Sequence, residues 1–262
     1  MNDITIIACA GFATGITTVL FGFGGGFVVV PLLYQLFLRQ PALLHHALQS
    51  AIATSTAVMI FNAGAATINN YRAGKLSLSF ILPWCGYIGA GAIVGSLLAD
   101  ALPENTVRIL FVLYMLVTIS DCVIGRRFLE GGEQRILSSF TTKVGGSIIG
   151  TIAALLGVGG SVMTVPLLRK HGYAMSSCIV NANALSLPVA LCGAITYAIK
   201  GRHKVPVEGF IGYISLPTLL ILIVTGWLGI GISRRYLPVI ADRWHARIYV
   251  LLLILVLVAM LV

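Results

Sequence analysis

Gly22-Phe-Gly-Gly-Gly-Phe-Val-Val-Val-Pro-Leu-Leu33 decides the fold, because the chain repeats it. Gly157-Val-Gly-Gly-Ser-Val-Met-Thr-Val-Pro-Leu-Leu168 matches it at seven of twelve positions, at a constant offset of 135 residues. That offset is half of the 262-residue chain. Each copy sets glycines before a short apolar run that ends at proline, a pattern suited to unusual dihedrals and close backbone approach, followed by a short helix. Inside a bilayer such backbone is tolerated only when buried in protein or beside a water-filled cavity. The pair reads as two broken-helix elements facing one site.

Outward from these stretches the chain is 58% hydrophobic and only 10% charged, with a mean hydropathy of +0.99. Soluble domains carry about 25% charged residues. An all-α polytopic membrane protein is expected. The net charge of +9 does not point to nucleic acid, because the basic residues sit in short loops between apolar runs, where topology is the commoner cause. Cys9, Cys85, Cys122, Cys178 and Cys192 lie singly in apolar segments, without the close pairing of a zinc or redox motif. Met1-Asn-Asp-Ile-Thr5 lacks a basic n-region, so the first apolar run is expected to stay in the mature protein.

The first apolar run, 4–38, would measure about 52 Å as one helix against roughly 30 Å of hydrocarbon. One pass cannot use it up. The fifth, 143–169, either crosses once with tilt or folds at its glycines. Charge chooses between these. With both runs crossing once, Lys and Arg divide nine to eight between the faces, which is no bias. With both folding back, Arg39, Arg108, Lys200, Arg202 and Lys204 fall on one face and the other twelve of the 17 on the opposite face. Hairpins follow, with both termini outside and the 126–143 loop in the cytoplasm.

Each half then holds a hairpin and three spans, about ten helical segments in all. Repeat 1 (1–130) has hairpin 4–38 and spans 46–71, 76–99 and 105–124; repeat 2 (131–262) has hairpin 143–169 and spans 174–199, 205–233 and 245–262. An odd number of crossings per half makes the repeats inverted, an arrangement of secondary transporters whose site lies near the midplane. Gly64-Ala-Ala-Thr67 with Lys75 echoes Gly193-Ala-Ile-Thr196 with Lys204, at an offset of 129.

With the doubled glycine stretch, the Ala53-Thr-Ser-Thr56 segment and the loop with Lys75 in view, the sequence resembles the sulfite exporter TauE/SafE family over essentially its whole length. The resemblance implies a bacterial inner-membrane permease for small sulfur-containing anions such as sulfite, sulfonates or sulfoacetate. The second half departs from the pattern, with Asn183 and Ala184 where Thr54 and Ser55 stand in the first. The half-sites would therefore differ chemically.

Free N–H groups and the positive dipole end of a helix hold an anion without burying a full charge. Gly24, Gly25 and Gly26, with Gly159, Gly160 and Ser161, are the tips expected to face substrate. Glycines that merely let helices approach are the alternative. Polar side chains on the following helices, Gln49, Ser50, Thr54, Ser55, Thr56, Asn62, Asn181, Asn183 and Ser186, are candidates to complete an oxyanion shell, or else to bond between helices. His45 and His46 are the proton-coupling candidates, with a headgroup location as the alternative. Asp121 is the one acid not plainly in a loop. Lys75 and Lys204, at matched positions, are candidates to draw anions to each vestibule. The Trp and Tyr residues near span ends form an interfacial belt.

No cofactor or metal is expected, and no Gly-x-x-x-x-Gly-Lys-(Ser/Thr) phosphate loop is present. The expected partners are a small sulfur oxyanion or organosulfonate and the lipid bilayer, with a homodimer allowed for. A proton-coupled secondary transporter is the leading reading. A passive anion channel on the same scaffold and, less favoured, an intramembrane enzyme remain as alternatives.

Overall fold

A computed structural model describes residues 3–124, 128, 137–237 and 240–261. Among these the chain forms ten α-helices: α1 (Asp3–Phe21), α2 (Gly26–Leu38), α3 (Ala47–Arg72), α4 (Leu78–Ala101), α5 (Glu104–Ile124), α6 (Gly146–Leu156), α7 (Ser161–Lys170), α8 (Met175–Lys200), α9 (Leu216–Tyr236) and α10 (Asp242–Leu261). A π-turn over Thr141–Gly145 leads into α6. The protein is an all-α polytopic membrane protein; seven of the helices are long and apolar enough to cross a bilayer. A helix satisfies its own backbone, which lipid cannot do.

The helices break where the glycines are. Gly22, Gly24 and Gly25 between α1 and α2, and Gly157 and Gly159 between α6 and α7, all have positive φ, a region open to glycine and costly for other residues. Each second arm then carries its proline at the sixth position, Pro31 in α2 and Pro166 in α7. Proline leaves the carbonyl four residues earlier without its helical donor. In α7 that carbonyl belongs to Val162, and the buried Tyr249 hydroxyl donates to it at 3.4 Å.

Both arms of the first hairpin end on one face, with Asp3 and Arg39 3.9 Å apart. The second hairpin likewise begins and ends beside the first turns of α4, where Gly146 lies against Trp84 and Tyr173 against Phe80. At 19 residues α1 is itself long enough to span, whereas α6 has 11.

The halves interlock by exchange. α1 runs along α9 and α6 along α4, in both cases backbone to backbone. A Cβ on Gly15 would stand 2.1 Å from the Gly226 carbonyl oxygen, and one on Gly95 2.0 Å from that of Thr151. Small residues bring membrane helices together in this way. α3 and α8 cross at the centre and sandwich the two glycine tips.

The span expected over 205–233 is helical only from Leu216 to Tyr236. Pro206 and the positive-φ Gly209 and Gly212 turn the preceding segment into a two-stranded ribbon, β1 (Phe210–Ile211) against β2 (Ile214–Ser215). Of the 126–143 loop, residues 126, 127 and 129–136 lie outside the described residues.

Candidate functional site

The two tips meet. Ser55, in the first half of α3, places Oγ 2.8 Å from the Gly26 carbonyl oxygen and 3.1 Å from that of Gly157. Its single proton is shared between the two hairpins. Met59, one turn on and fully buried, lies between them: a Cβ on Gly26 would stand 2.3 Å from its Sδ, and one on Gly159 3.3 Å. Ser186 of α8 closes the other side, next to Gly24 and Gly159, with its hydroxyl donated to the Ala182 carbonyl. Gly24, Gly25, Gly26, Gly159, Gly160 and Ser161 thus gather at one buried junction, where α2 and α7 begin.

Around this junction are buried polar atoms that have no partner among the described residues. Both amide atoms of Asn62 are of this kind, as is the Ser161 hydroxyl, and so is Oδ1 of Asn183, whose Nδ2 donates to the Thr18 carbonyl at 3.1 Å. Asn62 is wedged between Gly25 and Gly226; a Cβ on either would stand 2.7 Å from its Nδ2. A buried amide with nothing to bond costs roughly 1–3 kcal/mol, so its retention beside Gly25, where α2 begins, suits a ligand with oxygen acceptors.

The remaining candidates divide. Thr56 donates to Ile52 within its own helix, and Thr54 accepts the Ser215 N–H at 3.0 Å, pinning the ribbon. Gln49 is buried near the start of α3 with Oε1 unpartnered among the described residues, as is the Ser50 hydroxyl. Asn181 is half-exposed and donates to Ser177 on its own helix, which uses its amide for α8 itself. His45 is exposed, and His46 lies 5.6 Å from the Tyr213 ring, at the ribbon end of the molecule. Neither histidine reaches the tips.

One face opens toward the junction. A cavity of about 750 Å³ runs in from the face bearing Lys75 and Arg234 as far as Val19, Leu20 and Ile179. Gly22, the first tip residue, touches Ile179. His245, on the wall of this cavity, bonds the Leu20 carbonyl through Nε2 and stacks edge-on against Phe21. It lies in the first turn of α10.

At the other face Asp100 accepts from Lys204 at 2.6 Å and from the Tyr213 hydroxyl at 2.8 Å, holding the ribbon over the end of α4. Burial and the Asp100 carboxylate push the Tyr213 phenol well above its ordinary value, which keeps it a donor. Lys204 is thus committed to an ion pair rather than left free to draw anions. Asp100, read as a loop residue from the sequence, is the next-to-last residue of α4, while Asp121 pairs with Lys170 and Asp242 with the buried Arg169.

The pairing of Ser55 with two distant carbonyls had no signal in the sequence, and Met59 read as one more apolar residue. Asp100 read as one more loop acid. Among the described residues no three His, Cys, Asp or Glu side chains come together as metal ligands.

Residues 7–260 match the family model described as sulfite exporter TauE/SafE. A probable membrane transporter protein of Haemophilus influenzae is 23% identical, covering 84% of this chain and 82% of its own. A second of that description from Methanocaldococcus jannaschii is 25% identical, over 90% and 88%, and a third from Bacillus subtilis 24%, over 80% and 82%. No solved structure matches. A match over nearly the whole length, on a multi-helix membrane fold whose two glycine tips converge, makes this chain a member of the sulfite exporter TauE/SafE family of membrane transporters.

Proposed function

We propose that the protein is a secondary transporter that moves small sulfur-containing anions, such as sulfite, sulfonates or sulfoacetate, across the bacterial inner membrane. Two inverted repeats, 1–130 and 131–262, present their hairpin tips to one midplane site, and transport proceeds by alternating access coupled to the proton gradient. The observation that carries this is Asn62: an amide with both polar atoms unpartnered among the described residues, against the positive-φ Gly25 at the start of α2. A sulfonate or sulfite offers the oxygen acceptors that its N–H groups and the helix N-termini lack, and Ser161 supplies a hydroxyl from the other half.

The cavity from the basic face and the ribbon seal opposite correspond to one of the two end states, open on the side assigned to the cytoplasm by the excess of Lys and Arg. Both termini then lie outside. The ribbon seal also favours a carrier over a channel, and His245, held by a backbone carbonyl rather than a serine, gives no nucleophile and base for an enzyme.

The test is Asn62→Leu in proteoliposomes. Because the amide makes no hydrogen bond among the described residues, an apolar side chain of similar size should leave the thermal midpoint unchanged or raised. Radiolabelled sulfite or sulfoacetate flux should fall at least about tenfold, the loss expected from about 1.4 kcal/mol of binding. Wild-type flux in that variant refutes the site. Flux that survives collapse of the proton gradient and never saturates identifies a channel instead.

A further inference from the structure

We propose that the groove between the C-terminal halves of α3 and α9 is a binding site for the headgroup of an anionic phospholipid. The groove holds about 420 Å³ and is lined by Ala65 and Asn69 of α3 and by Trp227, Gly231, Arg234 and Arg235 of α9. On α9 the spacing from Trp227 to Gly231 to Arg234 and Arg235 puts all four on one side of the helix. Small residues at 65 and 231 create the space: a Cβ on Gly231 would meet nothing within 4 Å.

The lining is graded in the way a lipid is. Arg234 and Arg235 stand at the basic face, beside the Asn69 amide, and neither takes part in an ion pair among the described residues. Trp227, half exposed, lies two turns deeper, about 12 Å along the helix. Two cations and an amide suit a phosphodiester, and an aromatic ring beneath them suits the glycerol and first acyl carbons. A free inorganic anion has no use for the deeper half. The groove lies on the lipid-facing flank, and the site does not depend on what the central cavity carries. Arg234 also lines that cavity, whereas Arg235 does not. Arg235 is therefore the cation to vary.

The experiment is thermal denaturation of the purified full-length protein in detergent with added phosphatidylglycerol, phosphatidylcholine or inorganic phosphate. Phosphatidylglycerol should raise the midpoint by roughly 5 °C or more near saturation, with little change from the other two. Arg235→Gln should lose most of the shift. Gly231→Leu should lose it too, by filling the groove without touching a charge, and Arg202→Gln, on the opposite face, should keep it. Equal shifts with phosphatidylcholine, or a shift that survives Gly231→Leu, overturn the proposal. A shift with inorganic phosphate equal to that with phosphatidylglycerol also overturns it, since it assigns the arginines to a free oxyanion.

Discussion

Gly26 and Gly157 are in backbone contact although they belong to different halves of the chain: a Cβ on Gly26 would stand 2.8 Å from the Gly157 carbonyl oxygen. The two broken helices thus form a single structural unit, and neither tip can move without the other's consent. Substitutions at the tips should report on this contact unequally, because the two copies of the glycine stretch do not have the same surroundings.

Gly26→Ala collides with Gly157, with Met59 and with Ser55, and Gly25→Ala adds a side chain at φ 89° against Asn62. Each should cost about 1–3 kcal/mol of stability and abolish flux. Gly160 differs: its φ is −64° and a Cβ there would have no neighbour closer than 3.4 Å. Gly160→Ala should keep at least half of wild-type transport. Thermal midpoints and proteoliposome flux for the three variants decide this; a Gly160→Ala protein as damaged as Gly26→Ala would contradict the asymmetry.

Ser55→Ala removes the hydroxyl proton shared by the Gly26 and Gly157 carbonyls, leaving two buried acceptors with one fewer donor. A loss of about 1–3 kcal/mol is expected. Thr56→Ser is the control, since Thr56 bonds only within its own helix and serine retains that bond. Its chemical denaturation midpoint should stay close to wild type while that of Ser55→Ala falls.

Most of the architecture was legible in the sequence because it rests on local signals. Glycine runs at a fixed offset mark the breaks, and prolines mark the short arms that follow them. What was illegible depends on which helix faces which. Thr54 and Ser55 are neighbours in sequence and look interchangeable, but a helix turns 100° per residue, so Ser55 faces the tips and Thr54 the ribbon. The ribbon itself was read as part of a span because Val205, Val207 and Phe210 are apolar; Gly209 and Gly212 were the signal against it. Asp100 and Lys204 are far apart in the chain, and no spacing rule links them.

The ribbon seal rests on Asp100. Asp100→Asn weakens its acceptor for Lys204 and Tyr213, and Tyr213→Phe deletes one hydrogen bond to a carboxylate, worth about 1.5–3 kcal/mol. Both should loosen the ribbon and raise flux in the absence of a gradient several-fold. A cysteine placed at Ser50, buried behind the ribbon, should become reactive to a membrane-impermeant maleimide in these variants and stay protected in an otherwise wild-type background. Equal protection in all three would show that the Asp100 contacts do not hold the seal, and equal reactivity in all three that the ribbon does not seal.

His46 makes the same seal sensitive to pH. Burial chiefly, then the charges of Lys204 and His45, hold its imidazole below the ordinary histidine value, against an opposing pull from Asp100. A group whose value is lowered by folding favours the neutral form in the native state. Its contribution to stability is complete above about pH 6.5, the ordinary value, and is lost as pH falls toward the native one. Acid on this face should therefore put a charge on His46 next to Lys204, weaken its contact with the Tyr213 ring and free the ribbon. Backbone hydrogen exchange across 205–215, corrected for intrinsic rates, should be faster at pH 5.5 than at pH 7.5. In His46→Gln the difference should largely vanish. Protection that rises in acid, or an unchanged pH dependence in His46→Gln, would remove His46 from any role in coupling protons to the opening of this face.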